Sequence, residues 1–228
     1  MTFAVALRTS EALMALAFLQ QSLEHLAGPT QDRPLFLARA ALSVALLAGF
    51  EPLVIEVLLI GFALVQLVRF QGPYNGGSDR MGLLLLVSLF CCRVAPTQAW
   101  RDIAMGYLAV QVTLSYAIAG WVKLGNPDWR RGRALTDVFA FSAYPMSESL
   151  RGWARHERRL RGLSWLLMLF EASFPLALLH GPTLAVALLV AGMFHVGNAC
   201  VFGLNRFVWT WVAAYPTLFW FHTRFISG

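Results

Sequence analysis

Lys123 is the residue of this sequence that best fits a chemical role. It is the only lysine among 18 lysine and arginine residues, and it lies at the end of an apolar stretch. Arginine stays charged in a protein, whereas a lysine in apolar surroundings can lose its proton and act as a base or nucleophile. Tyr116, Gly120 and Lys123 are spaced i, i+4 and i+7, so a helix would carry the phenol and the amine on one face. The alternative is a lysine that extends its charged end to the membrane surface.

Further ionisable side chains interrupt apolar runs. Insertion of such a group at bilayer depth costs roughly 2.5–3.5 kcal/mol, so each needs a partner or a function. Glu56, Glu171 and His195 are of this kind. His195 and Asn198 are three residues apart and share a helix face. His195 is a candidate proton shuttle or ligand-orienting group, or else an imidazole bonded to a neighbouring helix. Glu171 either pairs with an arginine or stays protonated.

The sequence offers few other reactive patterns. It contains no nucleophile–base triad, phosphate-binding loop or HExxH motif, and Cys91, Cys92 and Cys200 have no metal-ligand spacing. We therefore expect no metal and no disulfide framework. The excess positive charge of +6 comes from arginines in a few loops. That pattern fits anionic lipid headgroups better than nucleic acid, for which no motif is present.

The composition predicts the elements that position these residues. Hydrophobic residues make up 58% of the 228 residues and charged residues 13%, with a mean hydropathy of +0.61. These values predict an all-α, polytopic transmembrane bundle that forms a single domain over residues 1–228. About eight apolar runs are long enough to be candidate spans, at 3–27, 35–50, 53–70, 81–94, 102–123, 163–180, 183–203 and 207–225.

Residues 126–162 differ from these runs. They mix aromatic side chains with many arginines, which predicts one or two interfacial or re-entrant helices. With eight spans, the loops after spans one, three, five and seven hold most of the arginines. The positive-inside rule then predicts that these loops are cytoplasmic.

Three spaced motifs resemble a known family. Tyr74 and Asn75 begin Tyr-Asn-Gly-Gly-Ser-Asp, Tyr116 begins Tyr-x-Ile-Ala-Gly-x-x-Lys-Leu with Trp129 following, and residues 194–198 read Phe-His-x-x-Asn. Together they resemble the membrane domain of vitamin K-dependent gamma-carboxylases. That domain also occurs alone in bacterial proteins, as the HTTM family. The resemblance extends over roughly residues 65 to 222.

The resemblance implies a function. It assigns to Lys123 the base of a quinol-dependent, epoxidase- or carboxylase-like reaction, with His195 as a second catalytic residue. It implies a substrate site that includes the side chains of Tyr74, Asn75, Tyr116, Trp129, Glu171 and Asn198. The implied cofactor is a reduced quinone of the menaquinone or vitamin K type, and the implied location is the bacterial inner membrane.

An accessory protein is the alternative function. Such a protein would act with a partner membrane protein or a secreted peptide, and the arginine-rich residues 130–161 would form its docking surface. Substitution of Lys123 by Arg discriminates the two functions. Arginine is a permanent cation, so it can replace a lysine that anchors the chain at the surface but cannot replace one that acts as a base.

Overall fold

The computed structural model describes residues 1–28, 32–69, 76–142 and 148–227. In these residues it confirms the all-α class, with no strand. The helices are α1 (Phe3–Ala27), α2 (Arg33–Ala48), α3 (Pro52–Arg69), α4 (Gly76–Val94), α5 (Gln98–Gly125), α6 (Pro127–Arg131), α7 (Arg133–Phe141), α8 (Glu148–Arg151), α9 (Glu157–Ser173), α10 (Gly181–Phe202) and α11 (Asn205–Phe221). Short 3-10 segments follow α8 and α9, at Gly152–Arg155 and Phe174–Leu179.

Five of the described helical segments have the length and hydropathy of a membrane span. They are Phe3–Ala27, Pro52–Arg69, Gln98–Gly125, Glu157–Leu179 and Gly181–Phe202. Large apolar side chains on them are exposed, such as Val68 at 77% and Leu166 at 68%. Exposed apolar surface of this kind is suited to lipid rather than to water. The total of eight spans stays a prediction, since α2 has 16 residues and α11 has 17.

Two helix boundaries differ from the sequence prediction for clear reasons. Helix α9 starts at Glu157, before the apolar run, because the intervening arginines are good helix formers. It ends at Ser173 because Pro175 has no backbone N–H and its ring would clash with the Glu171 carbonyl one turn earlier. The chain continues as a 3-10 segment, and Glu171 therefore lies in the last turn of α9. Helix α11 contains Pro216 and is helical through that residue.

The chain divides into two compact units. Unit 1 comprises Met1–Ala109 with Arg206–Gly228, and unit 2 comprises Val110–Asn205. Helix α5 begins in unit 1 and ends in unit 2. The prediction of a single domain stays a prediction.

Unit 1 buries a network around Arg39, which the sequence analysis did not single out. This residue is 1% exposed. It donates hydrogen bonds to Ser22 Oγ at 2.9 Å, to Gln21 Oε1 at 2.6 Å and to Gln66 Oε1. A ring of Phe18 lies 5.1 Å away. These partners satisfy a cation that would otherwise be costly inside the bilayer, which is why α1, α2 and α3 form one packed group.

A second ionic group in unit 1 supplies the environment of Glu56. Arg93 of α4 donates to both carboxylate oxygens of Glu11, at 2.6 and 2.7 Å. Glu56 Oε1 lies 3.8 Å from Arg93 Nε, and both glutamates are fully buried. Glu56 therefore lies near a cation, but Arg93 makes its hydrogen bonds to Glu11 and neither carboxyl oxygen of Glu56 has a hydrogen-bond partner among the described residues.

Candidate functional site

One face of α5 carries the two groups singled out in the sequence. Tyr116 is 3% exposed, whereas the side chain of Lys123 is 19% exposed. Lys123 contacts α9. Tyr116 contacts α9, the 3-10 segment after it and α10. All of these elements lie in unit 2. The i, i+7 spacing therefore brings the phenol and the amine to the same helical neighbours.

The Lys123 amine is held by Glu171. Its Nζ atom donates hydrogen bonds to both carboxylate oxygens, at 2.7 Å to Oε1 and 2.5 Å to Oε2. The Glu171 side chain is only 4% exposed. The sequence left arginine or a proton as the partner of Glu171, whereas the structure places the single lysine there. In apolar surroundings such a pair is poorly hydrated. Removing either side chain leaves the other without a partner for its charge.

Trp129 is a second neighbour of the Lys123 amine. Its ring centre lies 5.2 Å from Lys123 Nζ, a distance at which a cation is attracted to the face of an indole. The short helix α6 holds this ring in place, since the Trp129 carbonyl accepts a hydrogen bond from Ser164 Oγ at 2.6 Å. Asn126 caps α6 by accepting from the backbone N–H of Asp128. The turn after α5 thus positions an aromatic ring against the amine.

Gly120 sets the distance between α5 and α9. A Cβ atom on this residue would lie 2.2 Å from the backbone nitrogen of Ala172 and 2.8 Å from the carbonyl carbon of Glu171. No side chain fits there, so the two helix backbones are in direct contact. Small residues allow such close approach between membrane helices. The gap on the α5 face therefore lets Lys123 reach Glu171.

Tyr116 and His195 form the second polar pair. The phenol oxygen and His195 Nε2 are 2.8 Å apart, and both residues are buried. The phenol donates when Nε2 carries no hydrogen and accepts when Nε2 is protonated. The Tyr116 ring stacks on Phe174 at 4.3 Å between centres, and Phe170 contacts it edge-on at 6.4 Å. These aromatic contacts hold the hydroxyl towards α10.

Unit 2 also contains a mostly apolar cavity, and the four residues of these pairs are not among those that line it. Its volume is about 220 Å³ and its lining residues come from α7, α9 and α10, namely Leu135, Phe139, Leu163, Leu167, Phe194, Gly197, Asn198, Val201 and Phe202. Leu167 is four residues before Glu171, and Asn198 is three residues after His195. Along α9 and α10, these lining residues are therefore about one helical turn from the polar pairs. Asn198 supplies the side-chain amide of the lining.

The structure places five of the predicted site residues in two groups of contacts. Lys123 contacts Glu171 and Trp129, and Tyr116 contacts His195. Asn198 lines the adjacent cavity, while Tyr74 and Asn75 lie outside the described residues. The sequence analysis missed Phe170 and Phe174 as packing partners of the phenol. The sequence signal for them was the i, i+4 spacing of the two phenylalanines on either side of Glu171. Among the described residues, no three histidine, cysteine or acidic side chains are grouped to bind a metal ion.

Helices that pack around buried ion pairs and expose apolar side chains define a polytopic helical membrane protein. The HTTM domain family matches residues 93–223, which is more than half of the chain. The chain therefore belongs to the HTTM domain family. No curated protein and no solved structure matches it. The matched segment contains all six of the described site residues and leaves out α1, α2 and α3.

Proposed function

We propose that this chain is an enzyme of the bacterial cytoplasmic membrane that acts on a reduced quinone of the menaquinone or vitamin K type. The observation that carries the proposal is the shared face of α5. On it an amine and a phenol, those of Lys123 and Tyr116, each contact an ionisable side chain of another segment. Ionisable groups in membrane helices mark functional sites by default. The resemblance to the gamma-carboxylase membrane domain supports the same substrate class.

Lys123 is the base in this proposal. The Lys123–Glu171 pair has two forms that differ by the position of one proton, either ammonium with carboxylate or amine with carboxylic acid. In the second form the Nζ lone pair accepts a proton from a hydroxyl group of the substrate. Glu171 keeps the site neutral in both forms, so the bilayer interior gains no net charge before the substrate binds.

Tyr116 and His195 are the second proton-handling pair. The 2.8 Å contact lets a proton move between the phenol oxygen and Nε2 of the imidazole. A hydroxyl or carbonyl oxygen of the substrate would be oriented by this pair and by the Asn198 amide, as buried polar groups in apolar pockets commonly do.

In this proposal the quinone ring occupies the cavity, whose lining is mostly apolar. Pockets for drug-sized ligands commonly measure about 300–1,000 Å³, so a cavity of about 220 Å³ holds a ring but not a long prenyl tail. The exposed apolar surface of α9 and α10 provides a lipid-like path for such a tail. A bound reduced quinone supplies the hydroxyl protons and the electrons for a reaction with oxygen.

The test is quinol oxidation by the purified protein in a membrane mimetic. Reduced menaquinone or vitamin K hydroquinone is supplied with oxygen, and chromatography separates quinol, quinone and epoxide. Wild type is compared with Lys123→Ala, Lys123→Arg and a sample without protein, which measures spontaneous oxidation. Arg33→Gln is the matched control, because it changes an exposed cation of unit 1. Turnover in wild type and the control, lost in both Lys123 variants, is the expected result.

Two outcomes would contradict the proposal. Equal turnover in wild type and both Lys123 variants would remove the amine from the mechanism. Turnover no faster than spontaneous oxidation, from protein shown to be folded, would favour the accessory function with a partner membrane protein or a secreted peptide. In that case Lys123→Arg would still support partner binding, because the positive charge remains.

A further inference from the structure

We propose that unit 2 carries a binding site for the phosphate headgroups of anionic phospholipids, built from the corner between α6 and α7 and the first turns of α9. We name this the arginine corner and define it by Arg130, Arg131, Arg133, Arg158, Arg159 and Arg161. All six side chains are exposed. The site is independent of the proposed quinone chemistry.

Packing brings the two arginine groups together although 24 residues separate Arg133 from Arg158. Gly132, with φ of 82°, turns the chain between α6 and α7. A Cβ atom at Gly132 would lie 2.6 Å from the Cα atom of Arg161, so the corner lies directly on α9. The indole N–H of Trp165 donates to the Arg130 carbonyl at 3.0 Å. These contacts fix both groups on one surface of unit 2.

Most of the charges of this surface have no ion-pair partner in the described part of the chain. Arg133 lies 3.7 Å from Asp137, and both of these side chains are exposed. The other five arginines form no ion pair with any described residue. Clustered cations next to a membrane attract anionic lipids, and guanidinium groups match phosphate oxygens in a bidentate geometry.

The surface of α9 supports placing the arginine corner at the level of lipid headgroups. Exposed residues change along this helix from Arg158, Arg159 and Arg161 to Leu163, Leu166 and Leu169. The change from arginine to leucine occurs at one level of a candidate span. Trp165 is 36% exposed at this level, and tryptophan is enriched at the boundary between hydrocarbon and headgroups. A phosphate at the boundary would therefore meet the guanidinium groups.

Lipid stabilisation of the purified protein tests this site. Phosphatidylglycerol or phosphatidylcholine is titrated into detergent-solubilised protein, and the thermal unfolding midpoint is followed, because a ligand of the folded state raises it. Native mass spectrometry counts the lipids retained. The variant Arg131→Gln/Arg161→Gln removes two charges of the arginine corner. Arg33→Gln/Arg80→Gln removes two exposed charges of unit 1, and Arg131→Lys/Arg161→Lys keeps the corner charged.

We expect wild type to prefer phosphatidylglycerol, with a preference that weakens at about 0.5 M salt because salt screens exposed charges. The corner glutamine variant should need about tenfold more phosphatidylglycerol for half-maximal stabilisation, whereas the unit 1 variant should stay near wild type. The lysine variant should lie between the two, because it keeps the charge but loses the bidentate geometry. Equal stabilisation by the two lipids, or the same loss in both glutamine variants, would overturn the proposal. An acidic protein partner would then be the better occupant.

Discussion

Gly120 of α5 and Ala172 of α9 lie so close that a Cβ atom on Gly120 would be 2.2 Å from the Ala172 nitrogen. One turn further along α5, Lys123 reaches Glu171, the residue that precedes Ala172. The helix contact and the ion pair are therefore parts of one arrangement. A change in helix separation at Gly120 changes the geometry of the pair.

Gly120→Ala should destabilise the protein. The added methyl group meets backbone atoms, which cannot rotate away, so the two helices must separate at a cost of roughly 1–3 kcal/mol. Gly192→Ala is the control, because a Cβ at this position of α10 has no neighbour within 4 Å. That variant should be neutral or slightly more stable, since alanine favours a helix. Thermal unfolding in detergent measures both, and equal midpoints would show that α5 and α9 are not in backbone contact.

Lys123 and Glu171 should be strongly coupled in a double-mutant cycle. Lys123→Gln or Glu171→Gln alone leaves a partly buried charge without its counter-ion, at a cost of about 2–4 kcal/mol. Together the two amides can bond to each other, so the double variant should lose less than the sum of the single losses, with a coupling of about 1–3 kcal/mol. Unfolding in a denaturing detergent series gives the four free energies. Additive losses would show that the 2.5 Å contact contributes nothing in the membrane mimetic.

Tyr116→Phe should separate chemistry from packing. The ring keeps its stacking on Phe174, and the hydrogen bond to His195 is lost, which costs about 1 kcal/mol of stability. Turnover of the reduced quinone should fall about 100-fold, as expected for loss of a positioned proton donor or acceptor. The control is Tyr107→Phe, since Tyr107 is 51% exposed and lies on the part of α5 in unit 1. Unchanged turnover in Tyr116→Phe would restrict the phenol to a structural role.

Gly197→Leu should block the cavity without unfolding the protein. A Cβ at Gly197 has no neighbour within 4 Å, and this residue lines the space of about 220 Å³. A leucine there would occupy the volume proposed for the quinone ring and raise KM about tenfold or more. Gly192→Leu places the same side chain on the same helix at a residue that does not line the cavity. If both variants keep the wild-type KM, the ring binds elsewhere.

The sequence predicted the helical class because composition and long apolar runs determine it. It predicted the shared face of Tyr116 and Lys123 because that face follows from helical periodicity. It did not predict that Glu171 pairs with Lys123, because the two residues are 48 apart and the pairing depends on how α9 is rotated against α5. The start of α9 was placed too late because hydropathy alone does not detect an arginine-rich first turn.

Buried polar residues also divide into those that the sequence identified and those that it did not. Glu56 and His195 were recognisable because they interrupt long apolar runs. Arg39 is the most deeply buried arginine among the described residues. The sequence analysis did not single it out, because the rest of its helix α2 has no unusual sequence feature. Its burial depends on the amide and hydroxyl groups of α1 and α3, which only the packed structure brings to it.

The single lysine also allows the opening of the site to be followed by chemical labelling. Apart from the N-terminal amine, Lys123 is the only site at which an amine-selective reagent can form an amide. Because Glu171 and Trp129 occupy the surroundings of that amine, the rate of labelling reports how often the ion pair opens. Mass spectrometry of one peptide can therefore follow the opening of the site in a native membrane, with no probe introduced into the sequence.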